Sequence, residues 1–357
     1  MSTNLPYRDK KHQAIQTLES NLKRSIFGQD QAIETVVNRI KVAKAGLADE
    51  GKPVGSFLFT GPTGVGKTEL AIEVAKGLGM HFARFDMSEY STESDAKNLI
   101  GGSAGLVGYD TGGLLTNTII EHPHTLLLLD EIEKADRSIL NTFLQVMDYG
   151  VLTSTKGEKA YFNNVIVIMT SNLGATAKAF VGFGKRENEA SEDAVNEYLS
   201  PEFRARLDAM VSFNPLDQTM ADAIVEKFIG KLSQKLKKKH IRLKLTEEVK
   251  TYLSHQALGK QLGARGVERI IDRQITQRLS DEILFGELAN GGEASVDEGK
   301  EGEFVFSFSK KELSFSSESS GESIFLEASD AMLYAKEHPG VTITRSSCGR
   351  GWVVKEQ

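Results

Sequence analysis

Gly61-Pro-Thr-Gly-Val-Gly-Lys-Thr68 reads Gly-x4-Gly-Lys-Thr, and its flanks decide how the chain folds. Upstream, Ser56-Phe-Leu-Phe-Thr60 is an apolar run short enough for a buried strand. Downstream, Leu70, Ala71, Val74, Ala75 and Leu78 recur at helical spacing as far as Gly79, which predicts the helix end. Strand, glycine loop and helix in that order build a phosphate cradle. The glycines let successive backbone N–H groups turn toward one point, and the helix N-terminus adds a favourable dipole. Gly61, Pro62, Thr63, Gly64, Val65, Gly66, Lys67 and Thr68 are therefore all candidates for binding a nucleotide. Lys67 would reach the β- and γ-phosphates, and the Thr68 hydroxyl would ligate Mg²⁺. A glycine-rich turn with a chance lysine would not explain the strand and helix on either side.

Working outward, His81 to Asp86, Thr125 to Leu129, Val165 to Thr170 and Met210 to Phe213 read as further strands. Helical segments separate most of them, including Asp136 to Met147 and Glu192 to Leu207. Earlier, residues 8–24 and a stretch from Asp30 carry apolar residues at helical spacing. Strands alternating with helices predict an α/β fold with a parallel sheet. The Thr125 strand runs into Asp130-Glu131, which sets two acids beside the phosphate loop. Asp130 would bind Mg²⁺ and Glu131 would orient and deprotonate the attacking water, since phosphoryl transfer depends on positioning and charge neutralisation. Asn172, at the tip of the next strand, can reach the γ-phosphate or that water; its bland alternative is a turn cap. Arg204 and Arg206 lie just before the last strand, where one could complete a neighbouring subunit's site and the other form a surface ion pair. Arg265, in Leu262-Gly-Ala-Arg265-Gly266, starts a helix and reads from the residues alone as an ordinary surface arginine.

After Asn214-Pro215 the texture becomes helical, over 218–239 and 246–286, with Ile241 to Leu245 as one strand candidate and short extended pieces near 294–296 and 303–308. Residues 310–322 are rich in serine, glycine and charge. The expected division is a large α/β domain over 1–215, a mostly helical subdomain over 216–310, a linker over 311–322 and a small α+β appendage over 323–357. A length of 357 residues suits two or three domains. The formal charge of −6 argues against a dedicated nucleic-acid binder. The basic run Lys235 to His240 reads as the solvated face of an amphipathic helix. Cys348 stands alone, which excludes an intramolecular disulfide. Met1 to Lys11 is polar and charged, and the longest apolar run, Thr125 to Leu129, is far short of a membrane span. No membrane association and a cytoplasmic location are the expectation.

Ile26-Phe-Gly-Gln-Asp-Gln-Ala-Ile33, the phosphate loop, Phe85-Asp-Met-Ser-Glu-Tyr90 and Leu128-Leu-Asp-Glu-Ile-Glu-Lys-Ala135 occur in this order. Leu144-Gln-Val-Met-Asp148, Met169-Thr-Ser-Asn172, Pro201-Glu-Phe203 and Gly263-Ala-Arg265 follow. From about residue 12 to 310 the chain resembles AAA+ ATPases of the Clp unfoldase family, most closely the second ATPase module of ClpA- and ClpC-type chaperones. The resemblance implies ATP and Mg²⁺ as cofactors, with a helical lid over the nucleotide. It places Ile26 and Phe27 in the adenine pocket and makes Asn172 sensor 1, Arg206 the arginine finger and Arg265 sensor 2. It further implies a hexameric ring that draws protein substrates through a central pore for unfolding. Departures are also visible. Neither an N-terminal substrate domain nor a first ATPase module is present, so a single-ring version is expected. The family's Gly-Tyr-Val-Gly pore loop here reads Gly105-Leu106-Val107-Gly108, without the flat aromatic face. Val181-Gly182-Phe183 is similar to the tripeptide with which Clp unfoldases dock on a ClpP-like peptidase. The alternatives are a remodeller of specific complexes that works without proteolysis and a nucleotide-gated adaptor scaffold.

Overall fold

The computed structural model describes residues 5–101, 113–154, 156–173, 194–259, 263–299, 303–310, 315–317, 323–325, 328–337, 341–345 and 352–356. Leu106 and Val107, and Val181 to Phe183, lie outside the described residues. The chain divides into two compact units, residues 1–224 with 257–265, and residues 225–256 with 266–357.

In the first unit, α1 (Leu5–Ser25) and α2 (Asp30–Lys44) precede β1 (Gly55–Thr60), α3 (Lys67–Leu78) and β2 (His81–Asp86). Then come α4 (Glu93–Ile100), α5 (Leu114–Glu121), β3 (Thr125–Asp130) and α6 (Arg137–Tyr149). A short β4–β5 hairpin (Val151–Thr153, Lys159–Tyr161) leads to β6 (Ile166–Ser171), α7 (Pro201–Ala205) and β7 (Ala209–Ser212). The five main strands form one sheet in the order β2-β3-β6-β1-β7, and every pairing is parallel.

Successive strand residues point to opposite faces, so each apolar run feeds two cores. Leu58, Leu127, Leu129, Val167 and Met169 pack with Ile139 and Phe143 of α6. Their neighbours Phe57, Phe59, Leu126, Leu128 and Ile168 pack with Leu70 and Val74 of α3 and with Ile33 and Val37 of α2. β1, β3 and β6 are buried along their whole length, which is why they read as continuous apolar runs rather than alternating ones. Because all five strands are parallel, Thr60, Asp86, Asp130, Ser171 and Ser212 finish at the same edge of the sheet. The chemistry gathers there.

Some expectations need correction. Glu192 to Leu207 is not one helix: residues 194–198 are helical, and a new helix begins at Pro201. Proline disfavours helical backbone in the residue before it, and Ser200 is extended with its hydroxyl accepting the Phe203 N–H at 3.2 Å. The helical reading of 246–286 is met by α9 (Glu247–Gly259), α10 (Gly263–Ile270), a π-helical turn (Ile271–Thr276) and α11 (Gln277–Phe285), after α8 (Gln218–Lys237).

In the second unit, β8 (Ile241–Leu245), β9 (Gly292–Glu298) and β10 (Phe304–Lys310) form a sheet in the order β10-β9-β8. The same unit holds a second sheet, β11-β12-β14-β13, built from Phe315–Ser317, Ser323–Phe325, Trp352–Glu356 and Val341–Arg345. Helix α12 (Ala328–Glu337) packs on it, with Phe325, Ala331 and Val354 as the buried centre. Phe315–Ser317 thus pairs with β12 inside the stretch expected as linker. Its Phe315 is one apolar residue among serines, too weak a signal to read as a strand. Among the described residues, no helix is long and apolar enough to cross a membrane.

Candidate active site

The loop between β1 and α3 closes on its own lysine. Lys67 Nζ donates to the carbonyls of Gly61 at 2.5 Å and Pro62 at 2.9 Å, and to Asn172 Oδ1 at 2.8 Å. Gly66, with φ +111°, turns the chain into α3, and its carbonyl takes the first helical bond from Leu70 N–H at 2.8 Å. Lys67 and Thr68 consequently occupy the first turn of that helix. Burial pushes the Lys67 ammonium down to about 8; Glu133, Asp130 and Glu131 act against that fall and Arg265 adds to it.

The two acids at the end of β3 are held by the neighbouring strands. Asp130 is buried, with Oδ2 2.7 Å from a guanidinium nitrogen of Arg84 on β2. Its Oδ1 accepts a short bond from the Thr170 hydroxyl on β6. The same hydroxyl accepts the Glu131 N–H at 3.0 Å. Glu131 has φ +58°, a left-handed conformation that costs a non-glycine residue about 1 kcal/mol or more. Thr170 on one side and the Lys134 N–H, 2.9 Å from the Glu131 carbonyl, on the other hold it there. Asn172 completes the set. Its Nδ2 donates to Glu131 Oε1 at 3.2 Å, its Oδ1 also accepts from Thr63 Oγ1 at 3.4 Å, and its N–H donates to Glu133 Oε1 at 3.0 Å. Lys67, Asn172 and Glu131 therefore form one hydrogen-bonded chain, lysine to amide to carboxylate.

Ile26 is buried in the core that includes Val65 of the loop, and Phe27 is half-buried. Their turn is pinned by a reciprocal amide pair. Gln29 Nε2 donates to the Asn214 carbonyl and the Asn214 N–H donates to Gln29 Oε1, both at 2.9 Å. Arg265 is exposed, but its helix starts on the loop: the Ala264 N–H donates to the Gly64 carbonyl at 3.2 Å. Gly263 must be glycine there, since a Cβ would sit 2.6 Å from the Gly64 oxygen.

Arg206 is not brought to this cluster. Its Nε is 2.7 Å from Asp148 Oδ2, and a second guanidinium nitrogen donates to the Glu202 carbonyl at 3.2 Å. Two residues on, Asp208 is tied to Ser56: its N–H donates to the Ser56 carbonyl at 2.9 Å, and the Ser56 N–H donates to Asp208 Oδ2 at 2.8 Å. Ser56 is at the start of β1 and Gly61 just past its end, so Arg206 lies a strand length, roughly 17 Å, from its own loop. Arg204 turns instead toward Asn196.

Thr170, Arg84 and Glu133 escaped the sequence reading. A hydroxyl in an apolar strand and a third acid after Asp130-Glu131 were the available signals. Their partners lie about 40 residues away in sequence, so only the strand register reveals them. The oxygen-only set at the site suits Mg²⁺, which favours few protein ligands and hard oxygens. Each engaged oxygen of Asp130 keeps a lone pair, and one oxygen of Glu133 is buried with no hydrogen-bond partner among the described residues.

A loop of this sequence between strand and helix, two acids ending the next-but-one strand in the sheet and an asparagine ending the strand between them define a P-loop nucleoside triphosphatase. Comparison with known proteins makes the class finer. The family model described as "AAA domain (Cdc48 subfamily)" matches residues 52–210, and that of the "C-terminal, D2-small domain, of ClpB protein" matches residues 216–296. A ClpA homolog protein of Fuscovulum blasticum is 47% identical over 288 residues, 80% of this chain and 36% of its own. Chaperone protein ClpB of Staphylococcus epidermidis is 37% identical over 297 residues, 81% of this chain and 34% of its own. Chaperone protein ClpB of Aquifex aeolicus is 37% identical over 335 residues, 88% of this chain and 33% of its own. The chain belongs to the Clp family of AAA+ ATPases. It spans about a third of the length of the curated relatives it matches.

Proposed function

We propose that this chain is the ATP-driven motor of a Clp-type protein chaperone, working as a hexameric ring that draws protein substrates through its pore and delivers them to a ClpP-like peptidase. The observation that carries the reading is the Lys67–Asn172–Glu131 chain of hydrogen bonds, which links the phosphate-binding lysine to the water-activating acid. Residues Gly61 to Thr68 bind the triphosphate, with Lys67 on the β- and γ-phosphates and Ile26 and Phe27 against adenine. Thr68 and Asp130 would hold Mg²⁺, which would neutralise charge on the phosphates. Glu131 takes the proton from the attacking water; Asn172 orients that water against the γ-phosphate, and Arg265 contacts the same phosphates. Arg206, a strand length from its own loop, acts on the next subunit's γ-phosphate.

In this reading residues 1–215 are the large ATPase domain, 216–310 the lid, 311–322 a linker and 323–357 an appendage. Leu106 and Val107 grip the substrate, and Val181 to Phe183 engage the peptidase. The absence of a pore tyrosine favours a second reading, remodelling of specific complexes without proteolysis. Deleting Val181 to Phe183 separates the two: loss of peptidase co-purification supports delivery, and unchanged association with intact remodelling removes it. The central test is Glu131→Gln. Nucleotide binding should survive while turnover falls about a thousandfold; steady-state hydrolysis near wild type would sink the site assignment.

A further inference from the structure

We propose that Glu133 is a positioning residue of this site, whose carboxylate both anchors Asn172 and sets a standing negative charge against the triphosphate. The proposal rests on the nucleotide-site reading above and adds to it a group that reading leaves without a role. Glu133 lies in the short turn Ile132–Lys134 directly after the two acids of β3. One oxygen, Oε1, accepts the Asn172 N–H at 3.0 Å; the other, Oε2, is buried without a hydrogen-bond partner among the described residues.

The bland explanation is that Glu133 caps the end of β6. A glutamine could do that, presenting the same acceptor to the same N–H without burying a charge. Burying an anion with one oxygen unpaired is unfavourable unless a cation lies near. The cation is Lys67, whose ammonium donates to the side chain of the same Asn172 whose N–H Glu133 accepts; in line with that, Glu133 acts to keep the ammonium charged. The main chain of Asn172 is thus fixed by Glu133, while its side chain spans Lys67 at 2.8 Å and Glu131 at 3.2 Å. Through Asn172, Glu133 aims the amide that joins the phosphate-binding and water-activating groups. Through its charge, it competes with the incoming phosphates for Lys67 and keeps nucleotide binding from becoming too tight for release. Two properties of one side chain, shape and charge, therefore act on different steps of the cycle.

Variants separate them. Glu133→Gln keeps the acceptor and removes the charge, so at pH 6.5, well below the Lys67 value of about 8, ATP and ADP should both bind about three- to tenfold more tightly, with kcat lowered by a similar factor as release slows. Glu133→Ala removes the anchor as well, and its kcat should fall at least tenfold below that of Glu133→Gln. Binding of a fluorescent ATP analogue and of ADP, measured by anisotropy, reads the first effect independently of turnover. A residue that only caps β6 would leave nucleotide binding unchanged in Glu133→Gln, since glutamine keeps the acceptor. Unchanged or weaker nucleotide binding in Glu133→Gln overturns the charge role. Equal kcat in the Gln and Ala variants overturns the anchoring role. If Glu133→Ala does not fold, Glu133→Asp, which keeps the charge but falls short of the Asn172 N–H, takes its place with the same expected loss of kcat. Glu131→Gln run alongside distinguishes the failures: near-wild-type hydrolysis there removes the site reading itself, whereas a dead Glu131→Gln with a silent Glu133→Gln removes only this proposal.

Discussion

The two ends of the parallel sheet are built on different terms. At the end where the strands finish, charges are buried and shared: Thr170 serves both acids, and Asn172 serves Lys67, Glu131 and Glu133 through three different atoms. At the end where they begin, Arg206 and Asp148 meet in a pair that water reaches, and Asp208 is only half-buried between Arg39 and Ser56. Exposed ion pairs contribute little stability. The first end gathers the groups of the candidate site; the second holds an arginine engaged with Asp148 and the Glu202 carbonyl, away from that site.

The largest effect that could break this contrast is at Arg206. Replacing it with alanine should lower ATP turnover about a thousandfold or more if it completes a neighbouring site, while leaving the fold intact. Mixing Arg206→Ala with Glu131→Gln subunits should then restore part of the activity, because some boundaries regain one intact glutamate facing one intact arginine. Mixtures no more active than either parent would confine Arg206 to its own surface. Next comes Thr170→Val, which leaves the Glu131 N–H and an Asp130 oxygen unpaired. The expected loss in kcat is about tenfold or more, recovered by Thr170→Ser; a silent valine variant would show that the shared hydroxyl is dispensable.

A smaller effect concerns pH. The Lys67 ammonium is charged below about 8 and neutral above it. Nucleotide affinity should therefore decline as pH rises through 8, several-fold by pH 9 in titrations with a fluorescent analogue. A profile flat to pH 9.5 would show the lysine behaving like an exposed one. Smallest is Asp208→Ala at the opposite end. It strands the buried Ser56 N–H and should cost about 1–2 kcal/mol in urea denaturation without changing kcat per folded subunit.

How much of this could be read from the chain follows from the same division. β1, β3 and β6 stood out because strands buried on both faces are uninterrupted apolar runs, and the loop with its acids follows directly from where those runs stop. Glu131, Asn172 and Lys67 were legible as strand-end and loop residues. Thr170, Arg84 and Glu133 were not, because each matters only through a partner that the sheet order β2-β3-β6 brings alongside. Phe315–Ser317 hid among serines, and the Ser200–Pro201 break was overlooked although proline announced it. Periodicity reports what a residue is buried against, not which distant atom it bonds.

The amide pair between Gln29 and Asn214 joins residues 185 apart in sequence, and β1 lies between β6 and β7, strands that come over a hundred residues later. On a ribosome, at about 5–20 residues per second, the wait from Gln29 to Asn214 is on the order of ten seconds or more. Until β6 emerges both edges of β1 are unpaired, and its second edge waits for β7. Closure must come last, as β7 docks and Asn214 meets Gln29. A chain interrupted before Ala209 would therefore leave a sticky half-sheet rather than a smaller working domain, and its output in a cell should depend more on shielding during translation than on the stability of the finished molecule.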